Sequence, residues 1–186
     1  MKIITKLHLA ALIATVYCMA PTIAQETVPE STEVKIARAK SAAPAEVSDD
    51  ATIVDVDGTV LQEGSNRWTC MPGIALIPGD THPMCNDAVW MAWMKAAAAG
   101  EPFSTDVIGV SYMLMGDALV NNDNPAATDP NDGGAWVQEG PHLMMLMPGK
   151  EMMVDLPRNP FAGGPYVMWG DTPLEHVMVP VGGEAP

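Results

Sequence analysis

Between Asn86 and Gly100 the chain carries its one strongly helical pattern, and that single stretch limits what the rest can build. Val89, Trp90, Trp93, Met94 and Ala97 recur at the spacing of one helix face. Asn86 or Asp87 stands where a side-chain oxygen accepts the free N–H groups of a first turn, and Gly100 closes the stretch. The spacing predicts a helix over about 87–99. Elsewhere the texture is of short β-rich runs: 52–56, 59–61, 107–115, 142–147, 166–169 and 175–181. Asp57-Gly58 and Gly64-Ser65-Asn66 are turn signals between the first of these. Residues 121–134 are dense in Asn, Asp, Pro and Gly, so they predict a long surface loop. One helix among many strands cannot alternate as βαβ units. The expected fold is a compact single α+β domain over 51–182, with a mostly antiparallel or mixed sheet and long irregular loops.

The N-terminus has a different purpose. Lys2 and Lys6 precede an almost unbroken apolar run, Leu7 to Ala20, and Pro21-Thr22-Ile23-Ala24 supplies small residues before Gln25. Residues 1–24 therefore read as a cleaved export signal, too short for a membrane span of roughly 20 apolar residues. Cys18 follows Val16-Tyr17 rather than a small residue, which disfavours lipid attachment there. Residues 25–50 are rich in Glu, Ala, Ser, Thr and Pro and hold no aromatic residue. That composition predicts a mostly disordered leader, with at most a short helix over 35–43. Residues 183–186 read as a tail.

Removing the signal takes Lys2 and Lys6 with it and moves the formal charge from −14 to −16. Such a field repels phosphate backbones and anionic lipid surfaces, which argues against nucleic acid and membrane as partners. Cys18 also leaves with the signal, so Cys70 and Cys85 remain. An even pair in an oxidising compartment predicts a disulfide around the loop that holds Pro72, Gly73, Pro78, Gly79 and Pro83. The rival, a two-thiolate metal site, needs further soft ligands.

Several catalytic motifs fail on inspection. There is no H-E-x-x-H string and no phosphate-binding glycine loop. Gly109-Val110-Ser111-Tyr112-Met113 lacks the final glycine of a nucleophile elbow. Counted from Asp129 as a calcium loop, the twelfth position is Gly140, where a carboxylate belongs. Asp55, Asp57, Asp87, Glu139, Asp171 and Glu175 offer carboxylates, but sequence alone pairs none of them.

Methionine is the unusual feature, with 15 in the chain, of which Met1 and Met19 lie in the signal. Thioether sulfur suits Cu(I), and imidazole suits copper in general. Two strings repeat one pattern, His142-Leu143-Met144 and His176-Val177-Met178. Residues two apart on a strand share a face, so each string presents an imidazole and a thioether together. Pairing the two strands would assemble His142, Met144, His176 and Met178. His82-Pro83-Met84 adds a third copy on a loop. Core packing accounts for the same residues: methionine is a flexible core filler, and a buried histidine can bond a backbone carbonyl. Trp68, Trp90, Trp93, Trp136 and Trp169 add the option of a small-ligand pocket.

Four phrases stand out together: Glu63-Gly64-Ser65-Asn66-Arg67-Trp68-Thr69-Cys70, Pro83-Met84-Cys85-Asn86-Asp87, Glu139-Gly140-Pro141-His142-Leu143-Met144 and Gly163-Gly164-Pro165-Tyr166-Val167-Met168-Trp169. They resemble a family of exported bacterial proteins without an assigned activity, across most of the chain from Ala51 onward. The resemblance implies a periplasmic or secreted setting and brings no catalytic residues. The expected function is an exported soluble binding or accessory protein, non-catalytic, with no resident cofactor and a small ligand or protein as partner. Two alternatives stand beside it: a periplasmic copper-binding protein using the His/Met side chains, and an enzyme whose reaction and residues the sequence does not specify.

Overall fold

The computed structural model describes residues 30–74 and 80–183, so residues 1–24, expected to be an export signal, lie outside the described residues. Asp87 caps the predicted helix, α3 (Ala88–Ala99), by accepting the Trp90 N–H at 2.8 Å. Its second oxygen accepts the Val110 N–H at 2.9 Å, which ties the helix start to a neighbouring strand. Gly100 ends the helix at φ 67°, a left-handed cap that costs a residue without Cβ little.

Eight strands form one mixed sheet: β1 (Thr52–Val54), β2 (Val60–Gln62), β3 (Thr69–Met71), β4 (Met84–Asn86), β5 (Gly109–Met113), β8 (His142–Leu146), β9 (Tyr166–Met168) and β10 (His176–Pro180). Their order is β2-β1-β3-β4-β5-β8-β10-β9, antiparallel throughout except for the parallel pair β1–β3. A separate two-stranded ribbon pairs β6 (Val120–Asn121) with β7 (Trp136–Val137) at the ends of the predicted long loop. Cys70 and Cys85 oppose each other on β3 and β4 and are bridged. The α+β fold and the disulfide are therefore as the sequence predicts.

The sheet has two different faces. Helix α3 covers the inner one, and Trp90 and Trp93 pack there with Met71, Met84, Met113, Met144, Met168 and Met178. Gly109 permits this approach, because a Cβ there would sit 2.9 Å from Val89 Cγ1. On the outer face the bridged cysteines join Ile53 and four alanines, Ala39, Ala42, Ala43 and Ala51. Further along that face, Met153, Val167 and Val177 form a smaller cluster.

Those alanines correct one expectation. Residues 32–48, expected within a disordered leader, form α1 (Thr32–Lys40) and α2 (Ala45–Ser48). Ala39 and Ala42 are fully buried, Leu114 N–H donates to the Ala42 carbonyl at 3.0 Å, and Lys35 pairs with Asp55 at 2.6 Å. Small side chains let the helix backbone lie close on the sheet, so contact is made without the large apolar residues that composition is searched for.

Candidate functional site

Strand register places the predicted donors. β8 and β10 are direct antiparallel neighbours in which Met178 opposes Met144 and Pro180 opposes His142. Residues of even number on both strands share the inner face. All four predicted side chains thus share one face, but the two histidines do not oppose each other. They lie at opposite ends of the strand pair, one on each side of the Met144–Met178 centre. Carried across the sheet, the central row reads Thr69, Asn86, Ser111, Met144, Met178, Tyr166. The row on one side sets Met113 opposite His142, and the row on the other sets Met168 opposite His176.

Both imidazoles are buried, at 0% and 2% exposure. Each is held by one nitrogen: His142 Nδ1 lies 2.7 Å from the Gly140 carbonyl and His176 Nδ1 lies 2.8 Å from that of Leu174. A carbonyl only accepts, so Nδ1 carries the proton, and in the neutral ring the lone pair sits on Nε2. Neither Nε2 has a hydrogen-bond partner. Both carbonyls belong to residues that precede the strands, so each Nδ1 reaches outward from the strand pair. The two nitrogens of an imidazole diverge, so each Nε2 points away from the carbonyl that holds its ring. Burial lowers the His176 pKa to about 4, against the bond to Leu174, which raises it, and a charge on His142 would lower it further. His176 is therefore neutral at pH 7 and offers a free lone pair. A ligating histidine typically shows this arrangement, with one ring N–H fixed on a carbonyl and the other nitrogen free.

Around His176 the walls are aromatic. The Trp169, Trp90 and Trp93 rings approach edge-on, with centroids 5.2, 5.6 and 5.9 Å away. Trp169 adopts φ 53°, a strained conformation for a bulky residue. It is fixed from the ribbon: its backbone N–H donates to the Asn122 carbonyl at 2.9 Å and its Nε1 to that of Asn121 at 2.7 Å. The His142 end is polar instead. Burial raises the Asp117 carboxyl pKa, His142 acts in the opposite sense, and the Tyr166 hydroxyl donates to Glu139 at 2.8 Å.

The remaining candidates fall elsewhere. His82 is half-buried and its Nδ1 is taken by Asp80 Oδ1 at 2.6 Å, while Met84 of the same string joins the inner face. Ser111 is buried in mid-strand and donates to Asn86 Oδ1 at 2.7 Å. Asp129 caps a short 3₁₀ turn. The six carboxylates have structural partners: Asp55 with Lys35, Asp57 with the Thr59 N–H, Asp87 on α3, Glu139 with Tyr166, Asp171 with Arg158, and Glu175 with both Lys150 and the Asp171 N–H. A cleft of about 470 Å³, lined by Trp93, Phe103, Met147, Lys150, Met153 and Glu175 among others, opens beside the His176 end. Trp93 serves as a wall of this cleft and also edges His176.

Among the described residues, no three of His, Cys, Asp and Glu cluster closely enough to hold a metal ion. Any ion in this interior must accept thioether sulfur. The sequence showed the two strings, but not Met113, Met168 or the tryptophan walls, which register and tertiary packing bring in. No family model, curated protein or solved structure matches the chain, so function rests on the site itself.

Proposed function

We propose that this is an exported, non-catalytic binding protein whose ligand is a soft monovalent metal ion, Cu(I), taken into the interior by His142, His176, Met144 and Met178. The observation that carries this reading is the pair of buried imidazoles, each with Nδ1 fixed on a carbonyl and Nε2 unpartnered, on the sheet face that carries the Met144–Met178 pair. An unsatisfied buried acceptor costs about 1–3 kcal/mol, and coordination would offset that cost twice over. Imidazole nitrogen with thioether sulfur, in a site without a nearby trio of carboxylates or thiolates, favours Cu(I) over hard cations. The setting is consistent with the export signal and with the bridge between Cys70 and Cys85, which suits an oxidising compartment. Among the described residues no helix is long and apolar enough to cross a membrane. The cleft behind Trp93 supplies the approach from solvent.

Ag(I), a redox-inert monovalent stand-in for Cu(I), tests this on the mature chain purified without a histidine tag. At a free concentration a hundred times Kd the ion should add about 2.7 kcal/mol, raising Tm by about 5–10 °C. The double variant His142→Ala with His176→Ala should lose that rise. A wild-type Tm that Ag(I) leaves unchanged would rule the reading out.

A further inference from the structure

The two H-x-M strings are related by more than their sequence. They run antiparallel on adjacent strands with Met144 and Met178 at the centre, so a local two-fold relates one half of the site to the other. That relation extends one strand outward on each side. On β5, Met113 stands directly opposite His142; on β9, Met168 stands directly opposite His176. Opposed Cβ atoms lie about 4.5–5.5 Å apart, within reach of an imidazole and a thioether that share one ion. All four methionines belong to the same buried cluster. Each histidine thus has two thioethers of its own, one facing it and one two residues along its strand. The two histidines themselves are separated by two rows of the sheet, about 14 Å along the strands at about 3.4 Å per residue.

Resting on the metal reading, we propose that the interior is a two-ion site, with one soft monovalent ion held by His142, Met113 and Met144 and a second by His176, Met168 and Met178. The halves differ in their surroundings. The His176 half is enclosed by Trp169, Trp90 and Trp93, whose rings keep water from an ion held there. The strained Trp169 backbone, tied by two hydrogen bonds to Asn121 and Asn122, keeps one of these indoles in place. The His142 half has no such enclosure and lies near the buried carboxyl of Asp117. The ion beside His176 is therefore the one that acts on tryptophan fluorescence.

Native mass spectrometry of the mature chain titrated with Ag(I), followed in parallel by tryptophan emission, tests the arrangement. Two ions are expected, the one beside His176 quenching most of the emission. His176→Asn should leave one ion and little quenching, whereas His142→Asn should leave one ion and full quenching. Met168→Leu and Met113→Leu, close in volume and so compatible with folding, should each weaken only their own half by tenfold or more. His82→Asn should leave the count at two. A single ion lost to either histidine substitution would replace this inference with one shared site and leave the proposed function standing. Two ions indifferent to both histidine substitutions would also overturn it, and no ion at all would remove the proposed function as well.

Discussion

The two faces of the sheet are built on opposite principles. The outer face around the bridge is made of small residues in close contact, Ala39, Ala42, Ala43 and Ala51 beside Cys70 and Cys85. The inner face is made of long, polarisable and aromatic side chains. Five buried side-chain atoms among the described residues lack a hydrogen-bond partner. Four of them, Asn86 Nδ2, Trp90 Nε1, His142 Nε2 and His176 Nε2, are on the inner face or on the helix that covers it. The fifth, Asn122 Oδ1, directly follows β6 on the residue whose carbonyl holds the Trp169 N–H, and none is on the outer face. The buried polar atoms without a partner are thus concentrated on one face of the sheet, although both faces pack a core. An interior made only for packing would not leave four polar atoms unsatisfied while its reverse leaves none.

The largest effect that can test this division comes from Trp90→Ala. It deletes a nearly fully buried indole from the inner face, and urea unfolding should register a loss of about 3–5 kcal/mol. A loss below 1 kcal/mol would mean that the inner face contributes little packing of its own. Reducing the Cys70–Cys85 bridge, which spans 15 residues, should cost about 3 kcal/mol in the chain-entropy account. Because the bridge is on the other face, Ag(I) uptake should survive in the double variant Cys70→Ala with Cys85→Ala, which removes the bridge without adding thiols that would compete for the ion. Loss of uptake would show that the faces are not independent.

Acid separates the faces further. His176 has its pKa lowered from 6.5 to about 4 in the fold. Between those values the unfolded chain binds a proton that the folded chain refuses, so the contribution is complete above about pH 6.5 and is lost as pH falls toward 4. The loss is roughly 3 kcal/mol. Denaturation curves at pH 7 and pH 4 should show that part of the acid sensitivity disappearing in His176→Gln; identical slopes in the two proteins would contradict it. The smallest effect is a contrast in plasticity. Ala39→Leu overfills the tight outer face and should cost about 1–3 kcal/mol, whereas Met144→Leu on the inner face should cost less than about 1.5 kcal/mol. Equal costs would erase the distinction.

Much of the fold was legible in local pattern. Helix α3 appears at 88–99 because its cap, its periodicity and its closing glycine are all encoded within fifteen residues. The strands at 142–146 and 176–180 were visible from their β-rich runs, and the His/Met alternation along them followed from the period of two. Three features were not legible, each for a non-local reason. The placement of Met113 and Met168 depends on cross-strand register between segments far apart in sequence. The indoles around His176 come from a helix and a turn that meet only in the fold. Residues 32–48 pack through alanines, whose contribution comes from backbone proximity rather than apolar area, so composition alone could not separate them from a disordered leader.

The position of β10 has a consequence for the order in which this interior can come into being. Although β10 follows every other strand in sequence, it lies between β8 and β9 rather than at an edge. A chain that emerges with its N-terminus first, from a ribosome or an export channel, presents Met144 and Met168 well before Val177 arrives to join their strands. Until residues 176–180 insert, β8 and β9 each keep an open hydrogen-bonding edge, and His176 and Met178 are missing from the inner face. The pairing of Met144 with Met178 and of Met168 with His176 is thereby restricted to a chain that has emerged through residue 180.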